Sequence, residues 1–272
     1  MSQAEIDRQN SEFWDELCGT YLARSLGITD FSAASLARFD HHFLTMYPYV
    51  HKYLALDRVA GKEVLEVGLG YGTVSQLLAA QAKSYVGLDI AAGPIAVVNR
   101  RMSLFNLKGA ARQGSILEAP FADASFDVIV TIGCLHHTGD LQRALDEVHR
   151  VLRPGGWALV MLYNAFSYRR WWAEPVSTAR TWLRDYLGVG ADARPSDVER
   201  GAYDRSSSGA PAPCTVFTSS HRLRAMCERF SEIDIHKENA DQERPFSRFS
   251  RPALLTSIGP VLGLDLYATL RK

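Results

Sequence analysis

The sequence predicts an α/β domain on a mostly parallel sheet with helices on both faces, and three observations lead there. Short apolar runs alternate with helical segments from about residue 62 onward. The stretch "VLEVGLGYGTVSQLLAAQAKSYVGLDI" (64–90) joins a strand to a helix through a glycine-rich turn and closes its second strand on an acid, Asp89. The segment "RVLRPGG" then ends a helix just before another apolar run, "WALVMLY". Such alternation means βαβ units, whose right-handed crossovers cover both faces of the sheet.

Each element has its own signal. Over residues 3–26, Phe13, Trp14, Leu17, Tyr21 and Leu22 recur at helical spacing and give one apolar face. Asp30 is placed to cap a second helix that runs from Phe31 and yields before Pro48. Residues 1–60 form an N-terminal helical extension, a candidate lid, and residues 61–272 the main domain. There, "KEVLEVG" reads as strand 1, residues 73–83 as a helix, and "SYVGLD" as strand 2. "GPIAVVNRRMSLFNL" is a helix with Pro94 in its first turn, where proline is tolerated. "AARQG" and "FDVIVTIG" are strands 3 and 4. "DLQRALDEVHRVL" is a helix with Leu141, Ala144, Leu145, Val148 and Leu152 on one face, N-capped by Asp140. Strand 5 is "WALVMLY". An insertion at about 165–220 is helical and aromatic at first, then rich in Gly, Pro, Ser and Asp from 190 to 218, which reads as a long loop. A helix ("SSHRLRAMCERF") and two strands ("SEIDIHKE", "LDLYATLRK") close the chain.

The bulk composition narrows the partners. The 272 residues carry 30 Lys+Arg and 30 Asp+Glu, so the formal charge is zero. A neutral chain argues against charge-driven binding to nucleic acid or anionic membrane. The four cysteines form no CxxC pair, which argues against structural zinc, and no carboxylate cluster suits magnesium. The first residues are polar and acidic rather than an apolar leader. These features read as a soluble cytoplasmic protein with a small-molecule substrate and no metal.

The glycine turn selects the ligand. A dinucleotide site wants G-x-G-x-x-G. Here Gly68, Gly70 and Gly72 give G-x-G-x-G, and Thr73 stands at the third dinucleotide position. Glu66, at the mouth of the turn, repels a pyrophosphate but not a methionine ammonium. Asp89 suits the two ribose hydroxyls of either ligand. Ser115 is placed to face an adenine, and Ile116 offers a backbone N–H and an apolar wall.

Taken together, "LEVGLGYGT", "GLD", "PFADASFDVIV", "LHHTGD" and "LRPGG" resemble the class I S-adenosylmethionine-dependent methyltransferases, the broad group that includes the ubiquinone and menaquinone biosynthesis methyltransferases. The resemblance is close over about residues 60–165. It implies a Rossmann-like sheet of seven strands with the last antiparallel, and S-adenosyl-L-methionine as cofactor, leaving S-adenosyl-L-homocysteine. It also implies that Glu66, Gly68, Gly70 and Gly72 flank the methionine part, that Asp89 holds the ribose, and that Ser115 and Ile116 frame the adenine. Ile90 and Gly133, beside these motifs, complete the expected cofactor set. Many members carry Asp where Ser115 stands, and a serine bonds the adenine more weakly.

Methyl transfer needs alignment first and a base only where the nucleophile must lose a proton. His136 and His137 follow strand 4 at the sheet edge where such sites open, with His137 preferred; the plainer role for either is capping or packing. Tyr163, Asn164, Tyr203, Thr215, Phe217 and His41 are the candidate acceptor contacts. The expected reaction is methylation of a small molecule, at oxygen first, on a sugar, phenol, carboxylate or natural-product intermediate. A non-catalytic cofactor-binding scaffold and, further off, an NAD-dependent oxidoreductase stay as alternatives. Aromatic residues of the lid offer a surface for a homodimer. Replacing Gly70 is expected to abolish cofactor binding through steric contact with the turn.

Overall fold

The computed structural model describes residues 2–17, 21–189 and 195–272. Seven strands form one sheet: β1 (Glu63–Val67), β2 (Ser84–Asp89), β3 (Gly109–Gln113), β4 (Phe126–Ile132), β5 (Leu152–Tyr163), β6 (Glu232–Glu238) and β7 (Asp265–Arg271). Their order is β3-β2-β1-β4-β5-β7-β6. The first five are parallel, and β7 runs antiparallel to both β5 and β6. This is the Rossmann-like sheet with an antiparallel last strand that the sequence predicts. Connections leave β1 in opposite directions, so a crevice opens at the carboxyl ends of β1 and β4, where ligands of open α/β sheets sit.

Alternation along the strands builds two cores. Leu65, Val67, Ala158, Val160 and Leu162 face one side, against Leu141, Ala144, Leu145 and Val148 of the helix Leu141–Val151. Val64, Val128, Val130, Trp157, Leu159 and Met161 face the other, against the helices Val50–Leu54, Thr73–Gln81 and Ala92–Leu104. The helix Leu141–Val151 forms because its apolar residues fall three and four apart, and it starts where the Asp140 carboxylate accepts the Arg143 N–H at 3.0 Å. Truncating the fully packed Leu145 to alanine would cost about 2–5 kcal/mol.

The N-terminal helices are pinned to this core by one buried cation. Arg101 is fully buried; it pairs with Asp40 at 2.8 Å and donates to the Tyr71 carbonyl and to Gln76. Thr73 donates to the same Asp40 at 2.5 Å. The helix Ala33–Met46 is thereby tied to the start of the helix that follows the glycine turn.

Differences from the sequence reading are local. Ser32, not Asp30, caps the helix Ala33–Met46: its hydroxyl accepts the Ser35 N–H, while the Asp30 carboxylate accepts from Ser32 itself. The serine stands one residue nearer the first turn, and Asp30 braces it. The expected loop from 190 to 218 includes a short helix, Asp197–Gly201, closed by a capping box of Ser196 and Glu199; its residues 190–194 lie outside the described residues. Two helices precede β7, Arg251–Ser257 and Gly259–Leu262, where no element was expected. Proline in the first turn of each hides the periodicity of such short pieces. Among the described residues no helix is long and apolar enough to cross a membrane.

Candidate active site

Two cavities meet above the carboxyl ends of β1 and β4. The first is lined by Gly68, Gly70, Asp89, Ile90, Gly114, Ser115, Ile116, Gly133 and His137, and is covered by Asp7, Asn10 and Trp14 of the helix Gln3–Leu17. The second holds about 460 Å³ and is lined by Glu66, Met161, Tyr163, Arg169, Tyr203, Asp204, Asp265 and Tyr267, with Phe39, Phe43 and Tyr47 from the N-terminal side. Trp14, Gly68, Gly70, Ile132 and Gly133 line both. These five residues form the boundary between the cavities.

In the first cavity Asp89 is fixed by the main chain. Its carboxylate accepts the Leu69 N–H at 2.8 Å and the Ala91 N–H at 2.9 Å. An ionised carboxylate has about four acceptor positions, so two remain for a ligand's hydroxyls. Burial raises its pKa while these backbone bonds oppose the rise. Ser115 spends its hydroxyl on the Leu117 N–H at 3.2 Å, starting the turn that buries Ile116 and Leu117. Asn10 donates to the His137 carbonyl at 2.6 Å, and its own Oδ1, buried at the cavity wall, has no protein partner. An anchored carboxylate, an orphaned amide oxygen and an apolar wall of Leu88, Ile90, Pro94 and Ile116 fit an adenosine-bearing ligand.

The three glycines of the turn differ. A Cβ on Gly68 would lie 2.4 Å from the Cβ of Cys134, and φ there is +79°. A Cβ on Gly70 would meet nothing within 4 Å. A substitution at Gly70 therefore acts by filling the cavities and not, as the sequence suggested, through contact with the turn. Gly72 is bare for a packing reason: a Cβ would come within 2.9 Å of Arg101 Cδ. It lines only the second cavity, as does Glu66. Strand alternation explains Glu66, because it shares the face of Val64 and not that of Leu65 and Val67. Its carboxylate accepts the Tyr85 hydroxyl at 2.5 Å, and burial pushes its pKa up to about 7.

His137 lines the first cavity, and its Nε2 lies near Asp204, which lines the second. It is 3% exposed, and its Nδ1–H donates to the Cys214 carbonyl at 2.7 Å. A carbonyl can only accept, so this bond puts the proton of the neutral ring on Nδ1 and leaves the Nε2 lone pair free. Nε2 has no hydrogen-bond partner and lies 3.6 Å from Asp204. Asp204 in turn accepts the Tyr163 hydroxyl at 3.0 Å. Burial lowers the His137 pKa, while Asp204 and the Cys214 carbonyl raise it. Burial likewise raises the pKa of Asp204, with His137 opposing.

The remaining predicted contacts divide. Tyr163 and Tyr203 line the second cavity. Thr215 lies behind His137, its hydroxyl 3.3 Å from Nδ1, and Phe217 packs edge-on against Tyr203 and under Arg170. His136 is fully buried, packed at a tilt between His137 and Tyr163 with ring centroids 4.1 Å from each, and lines neither cavity. Asn164 is a structural brace that donates to the Gly263 carbonyl and accepts from Phe166. His41 is exposed; the same helix presents Phe39 and Phe43 to the cavity instead. Asp7, Asn10 and Trp14 were not expected at the site. The signal was present: Asn10 occupies a position in the apolar stripe of Ile6, Phe13 and Trp14 where a hydrocarbon belongs.

Comparison with known proteins finds S-adenosylmethionine-dependent methyltransferases similar to part of this chain. Residues 65–160 match the family described as a methyltransferase domain. A probable S-adenosylmethionine-dependent methyltransferase of Mycolicibacterium smegmatis is 34% identical over 129 residues, 47% of this chain and 48% of that protein. A demethylmenaquinone methyltransferase of Tropheryma whipplei is 33% identical over 133 residues, 48% and 52% of the two chains. The chain thus spans about half the length of these curated relatives. A protein of Pyrococcus horikoshii shares the fold, with TM-score 0.55 at 16% identity over 89% of this chain and 93% of the other.

Proposed function

We propose that the protein transfers a methyl group from S-adenosyl-L-methionine to an oxygen of a small-molecule acceptor, with His137 as the base. The observation that carries this is the unpartnered, buried Nε2 of His137, a residue of the first cavity's wall, 3.6 Å from Asp204 of the second. The match of residues 65–160 to a methyltransferase domain supports the cofactor.

Bound in the first cavity, the cofactor supplies an electrophilic methyl group. Asp89 holds its ribose, Ser115 and Ile116 frame its adenine, and the turn at Gly68 and Gly70 leaves room for its methionine part. Trp14 and Asn10 close the cavity against water. His137 Nε2 takes the proton of the acceptor hydroxyl. Asp204 then faces the resulting imidazolium and offsets its charge. Tyr163 holds Asp204 in place. The Cys214 carbonyl keeps the ring in the tautomer that accepts at Nε2. His136 packs beneath the base and takes no part in proton transfer. A cavity of about 460 Å³ belongs to the size class of small-molecule sites, roughly 300–1,000 Å³.

The test is a methyl-transfer assay on His137→Gln with an acceptor that the wild type methylates. S-adenosylhomocysteine binding should be retained and turnover should fall by about 10²–10⁴-fold, the usual worth of a general base. Unchanged turnover removes His137 from the mechanism.

A further inference from the structure

One helix of the insertion is built inside out. The helix Pro175–Tyr186 follows the short helix Tyr168–Ala173. The stripe it turns to the protein is polar: Ser177, Thr178, Thr181 and Asp185. The Thr178 hydroxyl donates to the Arg170 carbonyl at 3.0 Å, and Asp185 lies 3.8 Å from His221. The opposite stripe is apolar and faces outward. Val176, Leu183, Tyr186 and Leu187 are 63%, 51%, 74% and 62% exposed. They recur at helical spacing and so form one face. Trp182 borders that face, stacked on Tyr186 with ring centroids 5.8 Å apart. Single apolar residues on a surface are ordinary, whereas a continuous apolar face marks a contact with something else.

The charges on the helix decide what covers it. Arg180 and Arg184 are exposed and stand one turn apart, along one flank of the apolar face. The one acid of the helix, Asp185, is turned inward, and Glu174 lies ahead of the first turn. A second copy laid on this face would set arginines against arginines, with no outward acid of the helix to meet them. An anionic lipid surface complements the face. The apolar stripe enters the acyl boundary, the indole and phenol rings sit at headgroup level, and the arginines reach the lipid phosphates. A groove of about 480 Å³ beside Trp182 and Tyr186 places Lys237 and His221 on the same side, with Asp185 in its wall. The chain as a whole is neutral, so the attraction is local to this face, and apolar burial supplies the rest.

We propose that the outward face of the helix Pro175–Tyr186 docks the protein on a bilayer containing anionic lipid, with Val176, Trp182, Leu183, Tyr186 and Leu187 inserted and Arg180 and Arg184 on the headgroup phosphates. The docking is peripheral. A helix of 12 residues is about 18 Å long, short of the roughly 30 Å hydrocarbon core, so it lies in the plane of the interface. Its polar stripe stays hydrogen-bonded to the domain, and docking needs no refolding. None of the docking residues lines the first or the second cavity, so the proposal stands apart from the reaction assigned to those cavities.

The experiment is cosedimentation of the full chain with vesicles of equal parts phosphatidylcholine and phosphatidylglycerol, and with vesicles of phosphatidylcholine alone, at low salt. Each arginine at an anionic surface is worth about fivefold in affinity, so the wild type should bind the mixed vesicles roughly thirtyfold tighter than the neutral ones. Its tryptophan emission should shift to the blue as Trp182 leaves water. Arg180→Gln with Arg184→Gln should bring binding of the mixed vesicles to the neutral level and leave neutral binding unchanged. Trp182→Ser with Leu187→Ser should abolish binding to both and remove the blue shift. Both double variants change exposed side chains and should keep the wild-type Tm. No binding to the mixed vesicles at millimolar lipid, equal binding to the two kinds, or binding indifferent to either pair of substitutions overturns the proposal. A dimer in sedimentation equilibrium that Trp182→Ser with Leu187→Ser dissociates also overturns it, because the face would then join two copies of the chain.

Discussion

Two glycines of one motif should fail in different ways. Gly68→Ala puts a Cβ 2.4 Å from Cys134 Cβ and 2.8 Å from its Sγ, at φ +79°. The left-handed conformation costs alanine about 1–2 kcal/mol, and relieving the overlap costs about 1–3 kcal/mol more. At about 2–4 °C per kcal/mol for a chain near this size, Tm should fall by roughly 5–15 °C. Gly70→Ala, at φ +50° with nothing within 4 Å, bears only the conformational cost. Its Tm should fall by about 2–8 °C. Its methyl group, however, projects into the boundary between the cavities. Accommodating a ligand around it costs about 1–3 kcal/mol, which is roughly five- to 150-fold in affinity. Differential scanning fluorimetry and calorimetry with S-adenosylhomocysteine separate the two effects. Cys134→Gly, which removes the opposing Cβ, should restore part of the stability of Gly68→Ala and none of the affinity of Gly70→Ala. The reasoning is refuted if Gly70→Ala unfolds as readily as Gly68→Ala, or binds the ligand within about twofold of wild type.

Further outcomes follow from the same contacts. Asp89→Ala strands the Leu69 and Ala91 N–H groups, at about 1–3 kcal/mol each; calorimetry should show S-adenosylhomocysteine affinity down by an order of magnitude or more, with Asp89→Asn between the two. Turnover should rise with pH through the depressed His137 pKa, because the neutral ring is the base in the proposed reaction; Asp204 raises that pKa, so Asp204→Asn should shift the acidic limb to lower pH and slow the plateau rate. Burial holds Glu66 near 7 and Asp265 near 8, above their ordinary 4.5 and 3.8. The folded state then binds more protons than the unfolded one between about pH 4 and 8, so stability falls as pH rises through that window; denaturant midpoints should show this slope in wild type and a shallower one in Asp265→Asn. Arg101→Met leaves Asp40 without its cation and should cost about 3–5 kcal/mol in urea unfolding, part of it recovered by adding Asp40→Asn.

The sheet was legible because its strands are apolar runs bounded by glycine turns. Strand 2 lies where "SYVGLD" predicts it, and Asp140 caps the helix it was expected to cap. The first cavity was legible for the same reason: Gly68, Asp89 and Ser115 of its wall sit at strand ends, which the chain order fixes. The second cavity was harder, because it is assembled by contacts between distant segments. Asp204 reaches His137 across 67 positions from a loop without periodicity. Asp265 begins a C-terminal strand and became visible as a residue of the cavity wall only once β7 was found beside β5. The double histidine was ambiguous in sequence; only packing shows that His136 points into the core while His137 lies at the cavity wall. His41 illustrates the opposite error, since a polar residue in an aromatic helix drew attention that belonged to Phe39 and Phe43 on the buried face.

The central claim is that the first cavity holds S-adenosylmethionine, and calorimetric titration of the full chain with S-adenosylhomocysteine, with NAD as control, tests it most directly. Saturable binding of one S-adenosylhomocysteine per chain, with no heat from NAD, is the result predicted here. Folded protein that ignores the sulfur ligand, or that binds NAD in its place, would contradict it.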